Sequence, residues 1–392
     1  MNLKKVLALL RYLAVVTTVS LILIVLVEAV AVIIVPTRYQ DPPPVTTADW
    51  IYSDALSPRD TTWMKQFVGE FLRSYDSEWT SYVYFKRKPF TGTCINVDSN
   101  GIRFTPQFSH ASVGAFRPVQ VVLLGGSTMW GTCARDSGTI PSALARVISE
   151  DGSASSGHVV NMGESGYVST QDVLRLELEL RKGHVPDVVI LYDGVNDVFS
   201  AYQNNEPGLP QNEVHRSLEF NLLKDGGKMR KLGWEDLLNR TVTAELLTSV
   251  RTLFSQPPPP APTHLETAAG VVRLYRGNLE IVEGLSKQYG FQFEAYWQPV
   301  VFSKRSPSPY EQKQSAKVQY IRPLFQDVYR RVAQDSILRH NPHFHNISEI
   351  FDNPERLVFL DFCHITEAGN SAIAGRIYAD IRQYLRQPFS PL

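Results

Sequence analysis

The 392-residue sequence has three cysteines, no surplus of either charge, no internal repeat and one long hydrophobic run. Cys94, Cys133 and Cys363 are too few for a disulfide scaffold and lack metal-finger spacing. At most one bridge can form, and Cys94 with Cys133 is the candidate pair in an oxidising compartment. Lys plus Arg number 39 and Asp plus Glu 39, so the electrostatic footprint of a partner such as nucleic acid or an acidic polymer is missing. A hydrophobic share of 43% and a charged share of 20% exclude a disordered or collagen-like chain, and one apolar run excludes a polytopic one. At roughly 150 residues per domain, the length allows one large domain or two modest ones.

What is present begins with that apolar run, Tyr12 to Val35, preceded by Lys4, Lys5 and Arg11 and broken only by Thr17, Thr18, Ser20 and Glu28. As a helix, its 24 residues would reach about 36 Å, against about 30 Å of bilayer hydrocarbon. The run exceeds the roughly 7 to 15 residues of a signal-peptide core, although Ala29 and Ala31 offer a small-x-small cleavage pattern. We read residues 1–36 as a cytoplasmic tip and an uncleaved anchor contacting the lipid bilayer through residues 12–35. Three cations before the span, against Arg38 countered by Asp41 after it, orient the amino terminus inward and the remainder outward, to the periplasm or the exterior.

Residues 37–48, with Pro42, Pro43 and Pro44, read as an extended linker. Residues 49–118 read as an accessory lobe with a helix around Thr61 to Ser74 and strands at Ser81 to Phe85 and Cys94 to Val97. From 119 to 387 short β-branched runs alternate with helical patterns. Strands are expected at Val119 to Leu124, Val159 to Asn161, Val188 to Tyr192, Phe291 to Trp297 and Val358 to Leu360. Helices are expected near Ile140 to Ser149, Thr170 to Leu180, Leu265 to Tyr289, Glu311 to Arg339 and Glu367 to Leu385. This is the rhythm of an α/β fold, a mostly parallel five-stranded sheet between helical layers. Residues 206–263, with Pro257 to Pro260, interrupt it as an insertion or lid.

In such sheets ligands lie beyond the carboxyl ends of the strands. Gly125, Gly126, Ser127 and Thr128 follow the first run, and Gly163 to Gly166 the second. Asp193, Gly194, Val195, Asn196 and Asp197 follow the third, and Asp361 to His364 the last. Singly, these are a turn, a helix cap and a surface histidine. In this order they make an acyl-transfer set, because a serine hydroxyl attacks only when an imidazole removes its proton and an acceptor holds that imidazole's tautomer. Ser127, His364 and Asp361 fit these roles, and the Ser127 and Gly166 amides with the Asn196 side chain fit an oxyanion hole.

The four segments resemble the blocks of the SGNH (GDSL-like) hydrolase family. Leu-Leu-Gly-Gly-Ser-Thr at 123–128 resembles the nucleophile block, and Asn161 to Gln171 the glycine block. Gly194 to Asp197 resembles the asparagine block, and Asp361 to Gly369 the terminal Asp-x-x-His block. The sequence departs from the pattern at Gly126, for the usual aspartate, and at Thr128, for the usual leucine. The resemblance implies an SGNH-type α/β/α fold and an esterase that needs no cofactor or metal. With outward placement, it implies an acyl-ester substrate such as acetyl groups on envelope or secreted polysaccharide. Two alternatives stay open: an O-acyltransferase using the same acyl-enzyme, and a non-catalytic glycan-binding scaffold.

Other residues offer weaker readings. Asp187, Asp193 and Asp197 suggest a metal or phosphoryl site, but Asp187 starts its strand and so sits at the far end. His340, His343 and His345 lack evident acidic partners and read as a solvated loop, and Cys363 reads as a buried filler thiol. Trp297 and Gln298 end a strand near the rim, where they reach either substrate or core. Asn239 and Asn346 head glycosylation sequons.

Overall fold

The computed structural model describes residues 3–34, 62–108, 118–151, 157–213, 216–217, 220, 263–352 and 357–386. The expected linker, the start of the lobe at residues 49–61, most of the 206–263 insertion and Asn239 lie outside them. The chain divides into two units, Met1–Thr46 with Val214–Ala261, and Thr47–Glu213 with Pro262–Leu392. In the first, α1 (Leu3–Ile34) is a 32-residue helix. Its Leu10–Val27 stretch is long and apolar enough to cross a membrane or serve as a signal sequence.

The second unit opens with α2 (Thr62–Ser74), the hairpin of β1 (Ser77–Thr80) and β2 (Tyr84–Arg87), and a smaller pair, β3 (Phe90–Thr91) and β4 (Asn96–Val97). The expected strand at Ser81 to Phe85 is corrected here. Its apolar alternation spans the hairpin turn, where Tyr82 and Tyr84 take positive φ of 72° and 74°. Single antiparallel bridges of Arg103 to Val97 and to Asn161 tie this lobe to the edge of the main sheet.

The main sheet has five parallel strands. They are β5 (Val119–Gly125), β6 (Gly157–Asn161), β7 (Val188–Asp193), β8 (Gln292–Trp297) and β9 (Phe344–Asn346), in the order β6-β5-β7-β8-β9. Between and after them run α3 (Ser127–Trp130), α4 (Ile140–Glu150), α5 (Ser169–Arg181), α6 (Val195–Asn204), α7 (His264–Tyr289), α8 (Pro309–Lys317), α9 (Arg322–Gln334), α10 (Ser336–His340) and α11 (Glu367–Ile381). Strand alternation sorts the core into two layers. Val121, Leu123 and Ile190 join Leu144 of α4 and Ile373 and Ile377 of α11 on one face. Leu124, Val189 and Leu191 join Leu176 of α5, Val271 of α7 and Val328 of α9 on the other. Every residue of β7 is buried, as a central strand covered on both faces requires.

Two expectations fail for identifiable reasons. Val358 to Leu360 is not a strand, because its donors are used elsewhere. The Val358 and Phe359 amides donate to the Glu311 carboxylate at 3.0 Å each, and the Leu360 amide to the His364 carbonyl. The fifth strand is instead Phe344–Asn346, where His345 stacks on Tyr296 and its Nε2 donates to Glu294 Oε2 at 2.7 Å. The histidine segment is therefore not a solvated loop without acidic partners. The long helix expected over Glu311 to Arg339 breaks into three. Pro323, which has no N–H, starts α9, and the Asp335 carboxylate accepts from the Ile337 and Leu338 amides to cap α10.

Candidate active site

The order of the strands reverses at β5 and β7, so a crevice opens beyond their carboxyl ends. Ser127 follows β5 and begins α3. At Gly125, with φ +150°, a side chain would start 2.5 Å from the Tyr192 carbonyl. At Gly126 it would start 2.1 Å from Asn196 Nδ2. The turn therefore passes where only backbone fits.

Residues 237 positions apart in sequence meet here: His364 Nε2 lies 2.7 Å from Ser127 Oγ. On the other side of the ring, Nδ1 lies 2.6 Å from Asp361 Oδ2. The second oxygen, Oδ1, accepts from the Cys363 amide at 2.8 Å and the His364 amide at 2.7 Å. Burial alone would raise the Asp361 carboxyl. The adjacent imidazole and the two amides outweigh it and hold the group below its ordinary value. A hydroxyl, an imidazole and an ionised acceptor thus form one continuous line. Such a line draws the proton from the oxygen while fixing the ring's tautomer.

The remaining site candidates converge behind Ser127. Asn196 Nδ2 donates to the Tyr167 carbonyl at 2.7 Å, which uses one of its two N–H bonds and leaves the other. Gly166 takes φ +81°, and a side chain there would start 3.0 Å from Gln211 Oε1. The same Gln211 donates weakly to Asn196 Oδ1 at 3.4 Å. Asp197 is a structural cap, accepting from the Gly194 amide at 3.2 Å and the Ser169 hydroxyl at 2.5 Å. Asp187 accepts from the Gln120 amide at the opposite end of the sheet, so the three aspartates do not assemble. Among the described residues, the one group of metal-competent side chains within 4.8 Å of each other is Asp361, Cys363 and His364, where the Asp–His hydrogen bond already lies.

Trp297 is fully buried in the core against Tyr275 and Tyr329. Gln298 is buried too, its Oε1 3.5 Å from the Thr128 hydroxyl directly after the serine. All three cysteines are buried and free, so the candidate Cys94–Cys133 bridge does not form, and Cys363 fills core beside His364. Asn346 is an exposed residue of β9.

The sequence reading missed two arginines of the lobe. Trp130, at the end of α3, lies between the guanidinium of Arg87 at 4.4 Å and that of Arg103 at 4.2 Å. Arg87 donates to Glu164 at 3.2 Å and to Ser165 Oγ at 2.7 Å, in the segment leading to Gly166. Arg103 donates to Asp136 and to the carbonyls of Trp130, Gly131 and Ala134. Both side chains are buried. The lobe therefore braces the serine turn and the glycine segment together.

No protein-family model matches the chain, and no curated protein matches it. Among solved structures it is similar to the acetyl xylan esterase AlAXEase, at 14% identity and TM-score 0.38, covering 67% of this chain and 100% of that one. It is similar to a member of the lipolytic G-D-S-L family from Veillonella parvula DSM 2008, at 10% identity and TM-score 0.35, covering 68% and 97%. A lipase/acylhydrolase from Enterococcus faecalis gives 14% identity and TM-score 0.34, covering 70% and 100%.

Proposed function

We propose that this protein is a membrane-tethered serine esterase of SGNH type that acts on small acyl esters. The observation that carries the reading is the continuous Ser127–His364–Asp361 hydrogen-bond line, with contacts of 2.7 and 2.6 Å. In the first half-reaction Ser127 Oγ bonds to the ester carbonyl carbon, and its proton passes to His364 Nε2. The carbonyl electron pair moves to oxygen, where the Ser127 and Gly166 amides and the free Asn196 N–H stabilise it. The carbon–alkoxy bond then breaks, and His364 returns the proton to the departing alcohol. In the second half-reaction water, or a sugar hydroxyl if the enzyme is a transferase, repeats the sequence on the acyl-serine.

The motif resemblance supports small acyl groups as substrate, and the closeness of Gln211 to Gly166 suits them. The length and apolarity of α1 and the cations before its apolar run support a tether with the site on the outer side. An esterified envelope or secreted polysaccharide is the substrate class we infer from that placement. A fluorophosphonate probe tests the reading. Wild-type protein should be labelled at Ser127 and Ser127→Ala should not, while both unfold at the same temperature. An unlabelled wild type would make the protein a binding scaffold instead.

A further inference from the structure

A second feature lies away from the triad. A cavity of about 590 Å³ opens between the β1–β2 hairpin, α5 and the outer half of β5 and β6. That volume is within the roughly 300–1,000 Å³ of small-molecule sites. Alternation along β5 and β6 buries Val121 and Val159 on the opposite face and leaves Val122 and Val160 half-exposed, so they floor the cavity, while Val83 and Leu176 wall it.

One buried polar group of the wall is incompletely partnered. Arg175 of α5 lines the cavity and is 9% exposed; the Tyr167 hydroxyl takes part of its guanidinium, but Nη1 has no hydrogen-bond partner among the described residues. A buried guanidinium donor left unpaired is costly, and its fork geometry fits a carboxylate or phosphate. The acids nearby do not fill this role. Glu179, on the cavity wall, is held by Lys182 at 2.7 Å and His184 at 2.8 Å. Asp172, one turn before Arg175, feels its charge and lies against Asp193 and the Gly125 backbone, but burial pushes its carboxyl up to about 7, which makes it a weak counter-ion. The remaining cation of the wall, Lys86, pairs outward with Glu78 at 3.1 Å.

We propose that this cavity binds an anionic amphiphile, its carboxylate or phosphate head on Arg175 and its alkyl tail over Val122, Val160 and Leu176. The test uses the full-length protein in lipid nanodiscs with three diazirine-bearing probes: octanoate, octyl phosphate and octanol. Irradiation followed by peptide mass spectrometry should place the anionic probes on peptides holding Val122, Val160 or Leu176, and the difference between the two should identify the head group. The neutral alcohol should label these peptides about tenfold less, as should either anion with Arg175→Met. Val160→Phe fills the floor without touching the cation and should remove the label, so it decides the matter if Arg175→Met fails to fold. Ser127→Ala should label like the wild type, which keeps the outcome independent of the acyl-transfer reading. Equal labelling by the alcohol, labelling confined to residues 3–34, or labelling unchanged in folded variants would overturn the proposal.

Discussion

A side chain on Gly126 would begin 2.1 Å from Asn196 Nδ2, so an aspartate there would collide with the amide. The amide is anchored to the Tyr167 carbonyl at 2.7 Å, so an aspartate at 126 would displace it rather than reinforce the loop. If the free N–H of Asn196 meets the oxyanion, Asn196→Ala should cost about 2.7–4 kcal/mol of transition-state stabilisation, seen in kcat rather than KM. Gly126→Asp should then lose at least as much on a chromogenic acetyl ester. A Gly126→Asp enzyme as fast as the wild type would refute this account of the turn. Asp361 admits a separate test, since its depressed carboxyl is an acceptor that selects one imidazole tautomer. Asp361→Asn keeps the shape but offers a donor, and kcat should fall by about 10⁴. A loss under tenfold would remove Asp361 from the line.

Elements of the lobe hold the serine turn through Arg87 and Arg103, so damage at the lobe should register as lost stability. Arg103 is fully buried against Asp136, and its burial raises the Asp136 carboxyl even as the guanidinium pulls it down. Arg103→Met leaves the buried Asp136 carboxylate with Asn96 but no counter-charge and takes a donor from three carbonyls, which should destabilise by about 3–5 kcal/mol in thermal or denaturant unfolding. A loss below 1 kcal/mol would mean the lobe merely abuts the domain. None of this bracing was legible in the sequence. Arg87 sits inside Lys86-Arg87-Lys88, which reads as a solvated charge run, and nothing local marks Arg103 as a donor to three carbonyls. Strands β5 to β8 were legible because each holds a run of β-branched or apolar residues. β9 was not, since three residues holding a histidine and an asparagine carry no alternation to read. Its rival Val358 to Leu360 had the right composition, but the backbone donors of that run belong to Glu311, 47 residues earlier for Val358. The triad residues and Gln298 could be named from the segments that hold them, whereas Gln211 reaches the site only through tertiary packing.

At the scale of the molecule, two sets of carboxyls among the described residues have opposite pH behaviour. Glu70, Glu311 and Asp361 all lie below their ordinary values, because amides, a lysine or an imidazole outweigh their burial. Groups of this kind stabilise the fold above the unfolded carboxylate pKa, and the contribution is lost as pH falls through the lower folded one. Asp172, Asp193 and Asp197, on the buried side of the crevice, are raised by burial, with Asp193 raised further by the two neighbouring carboxyls. For Asp172 the ordinary value is 3.8 and the folded value about 7. Between them the unfolded chain has released a proton that the folded chain keeps. Stability should therefore fall as pH rises through that window, by up to about 1.4 kcal/mol per pH unit from this group. Thermal unfolding from pH 5 to 8 should show a declining midpoint in the wild type and a shallower decline in Asp172→Asn, with the variant's gain larger at pH 8 than at pH 5. Parallel curves for the two proteins would mean that Asp172 is already ionised in the folded state.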